Sequence, residues 1–171
     1  MATVTEQAKY LVQQLQGLQK NKAAMSSLRK SLSPTLAHKA WPYLVRWCDL
    51  TNDRIRTITQ HIAAFYAAHP AQATCGNLGW SLRELAKSRG SENAIEVHER
   101  YLKRILAARD SEHLCVRLEF VMRMIKSNGI SVNYITLYQD IVYWSERVQI
   151  QWANSYYIGK EDQDVSDKNN G

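Results

Sequence analysis

A basic face on one predicted helix is the first feature of this sequence that could do chemistry. Over residues 22–32 the helical period places four cationic or hydroxyl side chains opposite the apolar residues: Lys22, Ser26, Arg29 and Lys30. This face carries no acid, and basic and hydroxyl groups are what phosphate oxygens select by charge and hydrogen bonding. An ordinary solvated face is the alternative interpretation, although solvated faces usually mix charges of both signs.

A second helix, predicted over residues 111–127, carries two apolar stripes and is expected to be central to the fold. The stripes are Leu114, Cys115, Leu118, Val121, Met122 and Ile125, and then Val116, Phe120 and Met124. Glu119, Arg123 and Lys126 are left for solvent. Arg117 falls on the apolar side, where its guanidinium must be paired internally or reach water along its stem.

Signals for catalysis are weak. His98-Glu99 lacks the second histidine of an HExxH site, and no Asp or Glu pair stands at the spacing of a metal or acid–base site. Residues 76–79 have the GxxG spacing of nucleic-acid-clamping loops, but a helix start is the better interpretation without the surrounding αββα pattern. The five tryptophans and nine tyrosines could stack on bases, although most are expected in the core. We predict no catalytic residue, metal site or cofactor.

The elements that position these residues are all predicted to be helices. With seven Gly and three Pro in 171 residues the chain has few breaks, and no segment shows sustained strand alternation. Besides 22–32 and 111–127, helices are predicted near 8–18, 41–49, 55–69, 78–86, 92–108, 134–144 and 146–158. Asp110, Asn133 and Ser145 are candidate N-caps.

The expected architecture is all-α, with two small helical bundle subdomains joined by a short linker. The Ser-Arg-Gly-Ser sequence at 88–91 is typical of a linker. It divides an N-terminal helical subdomain, residues 1–87, from a C-terminal bundle, residues 92–159. Residues 160–171 contain one apolar side chain in twelve and are predicted to be a disordered acidic tail.

Charge favours a polyanionic partner. The net charge is +6, with 22 Lys and Arg against 16 Asp and Glu. The tail has two lysines and four acids, a net −2, which leaves +8 on residues 1–159. Three widely spaced cysteines, with no leader or long apolar run, predict a soluble cytoplasmic protein with no membrane contact.

The order of several segments resembles the CasB family, the small subunit of the type I-E CRISPR surveillance complex called Cascade. The resembling segments are AMSSLRKSLS (24–33), AWPYLVRW (40–47), IAAFYAAHP (62–70), GNLGWSLRELA (76–86), ERYLKRILAARDSEHL (99–114), MIKSNGISVNYITLYQDIVYW (124–144) and RVQIQWANSYY (147–157). They cover roughly residues 20–159 in the family's order.

The resemblance implies a non-catalytic helical protein that acts in antiviral defence. Its partners would be the other Cascade subunits with CRISPR RNA, a second copy of itself, and target double-stranded DNA with its displaced single strand. Basic surfaces would stabilise the R-loop through phosphate contacts, while guide pairing selects the sequence.

The family's basic positions fall on six residues of this chain: Arg29, Lys30, Arg54, Arg123, Lys126 and Arg147. Two departures stand out. Many members carry Arg where this chain has Glu119, and Arg117 is the residue expected to compensate. Near the last helix, Glu146, Gln149 and Gln151 replace further basic residues. Together with Lys22 from the basic face, Arg117 completes the predicted nucleic-acid-binding set.

Two other functions remain open. A helical adaptor could use its positive charge to bind acidic proteins without touching nucleic acid. An enzyme that uses His61 or His98 is a third hypothesis, which the scattered acids and histidines do not favour.

Overall fold

The computed structural model describes residues 2–159 and is all-α, which confirms the predicted fold class. Over these residues the chain forms α1 Val4–Leu18, α2 Lys22–Arg29, α3 Trp41–Leu44, α4 Asp53–Ala68, α5 Leu78–Ser88, α6 Ala94–Leu106, α7 Ser111–Ser127, α8 Tyr134–Val142 and α9 Glu146–Ile158. Two 3-10 turns, Lys30–Leu32 and Ala37–Lys39, join α2 to α3. The predicted tail, residues 160–171, lies outside the described residues.

All three candidate N-caps stand at helix starts, and two of them cap through the side chain. Asp110 accepts a hydrogen bond from the backbone N–H of His113 at 2.7 Å and so begins α7. Asn133 accepts one from Thr136 at 3.2 Å and begins α8. Ser145 occupies the N-cap of α9, but its side chain makes no capping hydrogen bond.

The helix predicted over 41–49 is wrong in length. Helix α3 ends at Leu44, after a single turn. Beyond it, three-residue and four-residue hydrogen bonds are mixed: the Leu44 carbonyl accepts from the Trp47 N–H at 2.9 Å and from the Cys48 N–H at 3.0 Å.

Helix α4 is the most enclosed element of the fold. It packs against α2, α7 and α8, and its buried side chains lie on every side of the helix: Ile58, Thr59, His61, Ile62, Ala63, Ala64, Phe65, Tyr66 and Ala67. The alanines among them add little bulk, so neighbouring helices can approach the α4 backbone closely.

Helix α7 is less enclosed than its two apolar stripes predict. The first stripe is buried and supports the contacts of α7 with α4, α5, α6 and α8. The second is largely uncovered, because Val116 is 59% exposed and Phe120 is 42% exposed. An apolar pattern on a helix shows which residues can be buried, but the neighbouring helices decide which ones are.

Helices from the two predicted subdomains pack directly on one another. Helix α1 contacts α8, α4 contacts α7, and α5 contacts α9. One cluster of buried apolar side chains runs through both halves. The division at residues 88–91 stays a prediction.

Helices α5 and α9 meet at a glycine. A Cβ on Gly79 would lie 2.0 Å from the carbonyl oxygen of Trp152, whose indole is fully buried. Only a residue without a side chain allows this approach of one helix backbone to another.

Replacing Gly79 is therefore expected to separate α5 from α9. We predict that Gly79→Ala lowers the free energy of unfolding by about 3 kcal/mol, measured by urea denaturation. Gly17→Ala, in helix α1 with nothing within 4 Å of the added Cβ, is the matched control. It is expected to be neutral or to stabilise by up to about 1 kcal/mol. Equal effects of the two substitutions would contradict the close approach.

The Trp152 indole also donates a hydrogen bond, through Nε1, to Asp140 Oδ2 at 2.6 Å. Burial raises the pKa of the Asp140 carboxyl to about 6, and the indole hydrogen bond offsets only part of that shift. The folded state therefore holds a proton more tightly than the unfolded chain. The contribution of this carboxyl to stability is therefore full below about pH 4 and is lost as the pH rises through about 6.

Asp140→Asn keeps an oxygen acceptor for the indole but removes the buried charge. We predict that this variant matches the parent near pH 4 and exceeds its unfolding free energy by about 2 kcal/mol at pH 8, measured by urea denaturation across pH. Asp49→Asn is the control, since the Thr51 side chain and backbone lower the pKa of that exposed carboxyl. It should give no gain at pH 8. The same response in both variants would contradict the role of burial.

Candidate nucleic-acid interface

Three of the predicted basic residues meet at one cavity. Arg29 comes from the end of α2, while Arg123 and Lys126 come from the last turns of α7. All three are exposed side chains, and they line a cavity of about 450 Å³ beside the C-terminal half of α4. Residues almost a hundred positions apart in sequence therefore form one cationic surface.

Packing on α4 brings these three side chains together. Both α2 and α7 pack against α4, and Arg29 Nη1 donates a hydrogen bond to the Ala67 carbonyl at 3.1 Å. That carbonyl belongs to the last turn of α4, where the helix dipole favours a cation. The bond directs Arg29 towards the cavity and leaves its other N–H groups available.

The rest of the cavity wall is mainly apolar. It is formed by Leu32, Ala64, Phe65, Ala68 and Met122, with His69 and Glu119 as further polar members. The His69 ring donates through Nε2 to the Ile130 carbonyl at 2.6 Å, so it is used within the fold. A ligand here would meet cations at the rim and an apolar wall behind them.

Glu119 places one carboxylate among the three cations. Its Oε1 lies 3.2 Å from Nε2 of His61, which is buried. His61 Nδ1 lies 2.8 Å from the Thr57 carbonyl, an oxygen that only accepts. Both ring nitrogens of His61 thus lie within hydrogen-bonding distance of an oxygen. The carboxylate thus lowers the net charge of the cavity and has a partner of its own.

Two other predicted site residues hold helices together. Arg54 Nη2 donates to the Ser111 hydroxyl at 3.1 Å and to the Val142 carbonyl, linking α4 to α7 and to the end of α8. Arg117 donates to His113 Nε2 at 3.0 Å and to the Arg104 carbonyl at 2.6 Å, linking α7 to α6. Arg117 is therefore paired internally, with a ring nitrogen and a carbonyl oxygen.

The remaining predicted residues lie outside the cavity wall. Lys22 is exposed in the first turn of α2, Lys30 is half-buried in the following 3-10 turn, and Arg147 is exposed in the first turn of α9. Lys22 and Lys30 flank Arg29 on α2 and the turn that follows it, whereas Arg147 stands on another helix.

Sequence reasoning missed the basic and aromatic side chains that α6 presents beside α7. The guanidinium carbons of Arg104 and Arg123 lie 5.9 and 6.0 Å from the centre of the Phe120 ring. Arg100 stands over the Tyr101 ring at 5.0 Å. The signal was the four-residue spacing of Arg100 and Arg104, which places both on one helix face.

Among residues 2–159, no group of three or more His, Cys, Asp or Glu side chains could hold a metal ion. No helix in that range is both long and apolar enough to span a membrane. Within the same residues, Cys48, Cys75 and Cys115 form no disulfide.

Residues 24–157 match the family model of the CRISPR-associated protein Cse2. The chain belongs to the Cse2 family. This match includes the residues of the cavity and nearly all of helices α2 to α9. No curated protein matches the chain with significant sequence similarity.

Solved structures share the fold of this Cse2-family chain. A chain of a CRISPR RNA-guided surveillance complex, in a pre-nicking state, is 21% identical with a TM-score of 0.76, over 96% of this chain and 99% of that one. A Cse2-family protein from Thermus thermophilus is 25% identical with a TM-score of 0.69. The similarity covers 88% of this chain and 97% of that one. CasB from M. ruber is 21% identical with a TM-score of 0.71, and the similarity covers 93% of this chain and 97% of that one. The resemblance to the CasB family is confirmed.

The contrast between Arg54 and Arg147 can be tested by stability. Each is the second residue of its helix and each is exposed, but only Arg54 bridges to other helices. We predict that Arg54→Ala lowers the free energy of unfolding by about 1–3 kcal/mol. Arg147→Ala should change it by less than about 0.5 kcal/mol. Urea denaturation measures both, and equal losses would contradict the structural role of Arg54.

Proposed function

We propose that this chain is the non-catalytic small subunit of a type I-E CRISPR Cascade complex and binds nucleic-acid backbone through basic patches. The observation that carries the proposal is the convergence of Arg29, Arg123 and Lys126 on one cavity in a Cse2-family chain. The surveillance-complex chain that shares the fold supports the same assembly.

The proposed mechanism is electrostatic. A subunit that holds a strand of any sequence needs contacts to phosphate, which all sequences share. The RNA–DNA duplex that forms in an R-loop is about as stable as the DNA duplex that it replaces, so the free-energy change of the exchange is small. A modest stabilisation of the displaced strand or the target duplex is therefore enough to favour the R-loop. In this way the subunit supports target binding and antiviral defence while guide pairing selects the target.

The contacts of each basic residue suggest how the predicted set divides. Arg29, Arg123 and Lys126 form the main patch, and Lys22 and Lys30 extend it along α2. Arg147 would be a separate, weaker contact. Arg54 and Arg117 act mainly through the fold, since their guanidinium groups already donate to side chains and carbonyls.

The partners in this proposal are the other Cascade subunits with CRISPR RNA, a second copy of this chain, and target double-stranded DNA with its displaced single strand. Assembly takes place in the cytoplasm, where target DNA and the guide are present. No cofactor is required, because neither phosphate binding nor strand displacement changes a covalent bond.

Charge reversal of the cavity tests the proposal. We predict that Arg29→Glu, Arg123→Glu and Lys126→Glu together weaken target DNA binding by the assembled complex. The slope of log affinity against log salt concentration should become shallower by about 2–3. The reason is that binding with three fewer phosphate contacts releases fewer counterions from the DNA. Filter binding across a salt series measures both quantities.

The charge-matched control reverses three exposed lysines that do not line the cavity: Lys9→Glu, Lys20→Glu and Lys87→Glu. It should alter the salt slope much less, although the net charge changes equally. Unchanged affinity and slope in the cavity variant would reject the phosphate contacts. Normal target binding by a complex that lacks the subunit would favour the protein-binding adaptor instead.

A further inference from the structure

A row of aromatic rings lies between α6 and α7, outside the cavity. The ring centres of His98 and Tyr101 are 6.0 Å apart with planes at 30°, and those of Tyr101 and Phe120 are 6.2 Å apart with planes at 37°. Phe120 keeps 42% of its surface exposed, while His98 and Tyr101 are half-buried. We call His98, Tyr101 and Phe120 the aromatic row.

Three exposed arginines flank this row: Arg100 stands over Tyr101, and Arg104 and Arg123 stand beside Phe120. Within the described part of the chain, none of them forms an ion pair with a carboxylate. Glu99, the acid nearest in sequence to Arg100, is engaged by Lys103 Nζ at 2.9 Å and by the Tyr157 hydroxyl at 2.7 Å. The arginines are therefore available to meet an anion.

We infer that the aromatic row stacks the unpaired bases of single-stranded nucleic acid while the flanking arginines contact its phosphates. Accessible ring surface beside guanidinium groups, offered here mainly by Phe120, is the combination with which proteins hold single strands of any sequence. The occupant is a single strand, because the base faces of a duplex are already covered by stacking and only unpaired bases expose them.

The spacing of the rings agrees with an extended strand. Ring centres 6.0 and 6.2 Å apart are nearly twice the separation of about 3.4 Å per nucleotide in a stacked strand. Bases on successive rings would therefore be unstacked from each other. Arg123 both lines the cavity and flanks Phe120, so one strand can pass from the cavity to the aromatic row.

This inference rests on the proposed function, because it assumes that the bound partner is nucleic acid. It adds a contribution that phosphate contacts do not make. Stacking acts on the base and releases no counterions, so its loss weakens binding without changing the salt dependence. Loss of an arginine–phosphate contact changes both.

The test uses the full-length protein and two single strands of equal length, oligothymidylate and its fully abasic counterpart. The parent protein is expected to bind oligothymidylate about ten-fold more tightly than the abasic strand. Phe120→Leu keeps an apolar side chain but removes the ring. We expect it to reduce that preference to about two-fold or less, with unchanged salt slope and unchanged affinity for the abasic strand.

Two further variants complete the experiment. Phe120→Trp retains a ring and should retain the preference. Arg123→Ala should weaken binding of both strands and make the salt slope shallower by about 0.7, the value of one single-strand phosphate contact. Circular dichroism of each variant confirms that the helices are intact.

The possible failures are distinguishable. Equal affinity of the parent protein for both strands would overturn base stacking and leave phosphate binding in place. Failure to bind either strand at low salt would count against both proposals. If Phe120→Leu kept the base preference but lost assembly with other subunits, the row would be a protein contact and the inference would be wrong.

Discussion

Helix α4 is enclosed by other helices along most of its length, and this burial orders the structure around it. Its apolar residues and alanines give α2, α7 and α8 a common packing surface. Arg29 from α2 and Arg123 from α7 become neighbours only because both helices are held against α4. A substitution that moved either helix on α4 would disperse the cationic surface without changing any charge.

Basic residues of the same type have different roles in this fold: some bind groups of the protein itself, and others remain exposed around the cavity. Arg54 and Arg117 donate hydrogen bonds to side chains and carbonyls within the fold. Their guanidinium groups therefore satisfy acceptors of the protein itself. Arg29, Arg123 and Lys126 remain exposed around a cavity. Net charge shows that a polyanion is a favourable partner, whereas the hydrogen bonds of each guanidinium show which groups remain available to meet one.

The cavity and the aromatic row suggest two complementary ways to hold a strand without reading its sequence. Phosphate contacts are long-ranged and weaken with salt, while base stacking is short-ranged and largely independent of salt. Arg123 belongs to both surfaces.

Local signals in the sequence determined most of the helices, the three predicted N-cap residues and the acid-free basic face of residues 22–30, because helical periodicity and capping depend on residues a few positions apart. The length of α3 was the exception. The segment order also identified the family. Only tertiary structure decided that Arg29 meets Arg123, that Arg54 and Arg117 are used within the fold, and that Phe120 stays exposed while Leu118 is buried. These outcomes depend on which helices pack together, and packing joins residues far apart in sequence, beyond the reach of any local pattern.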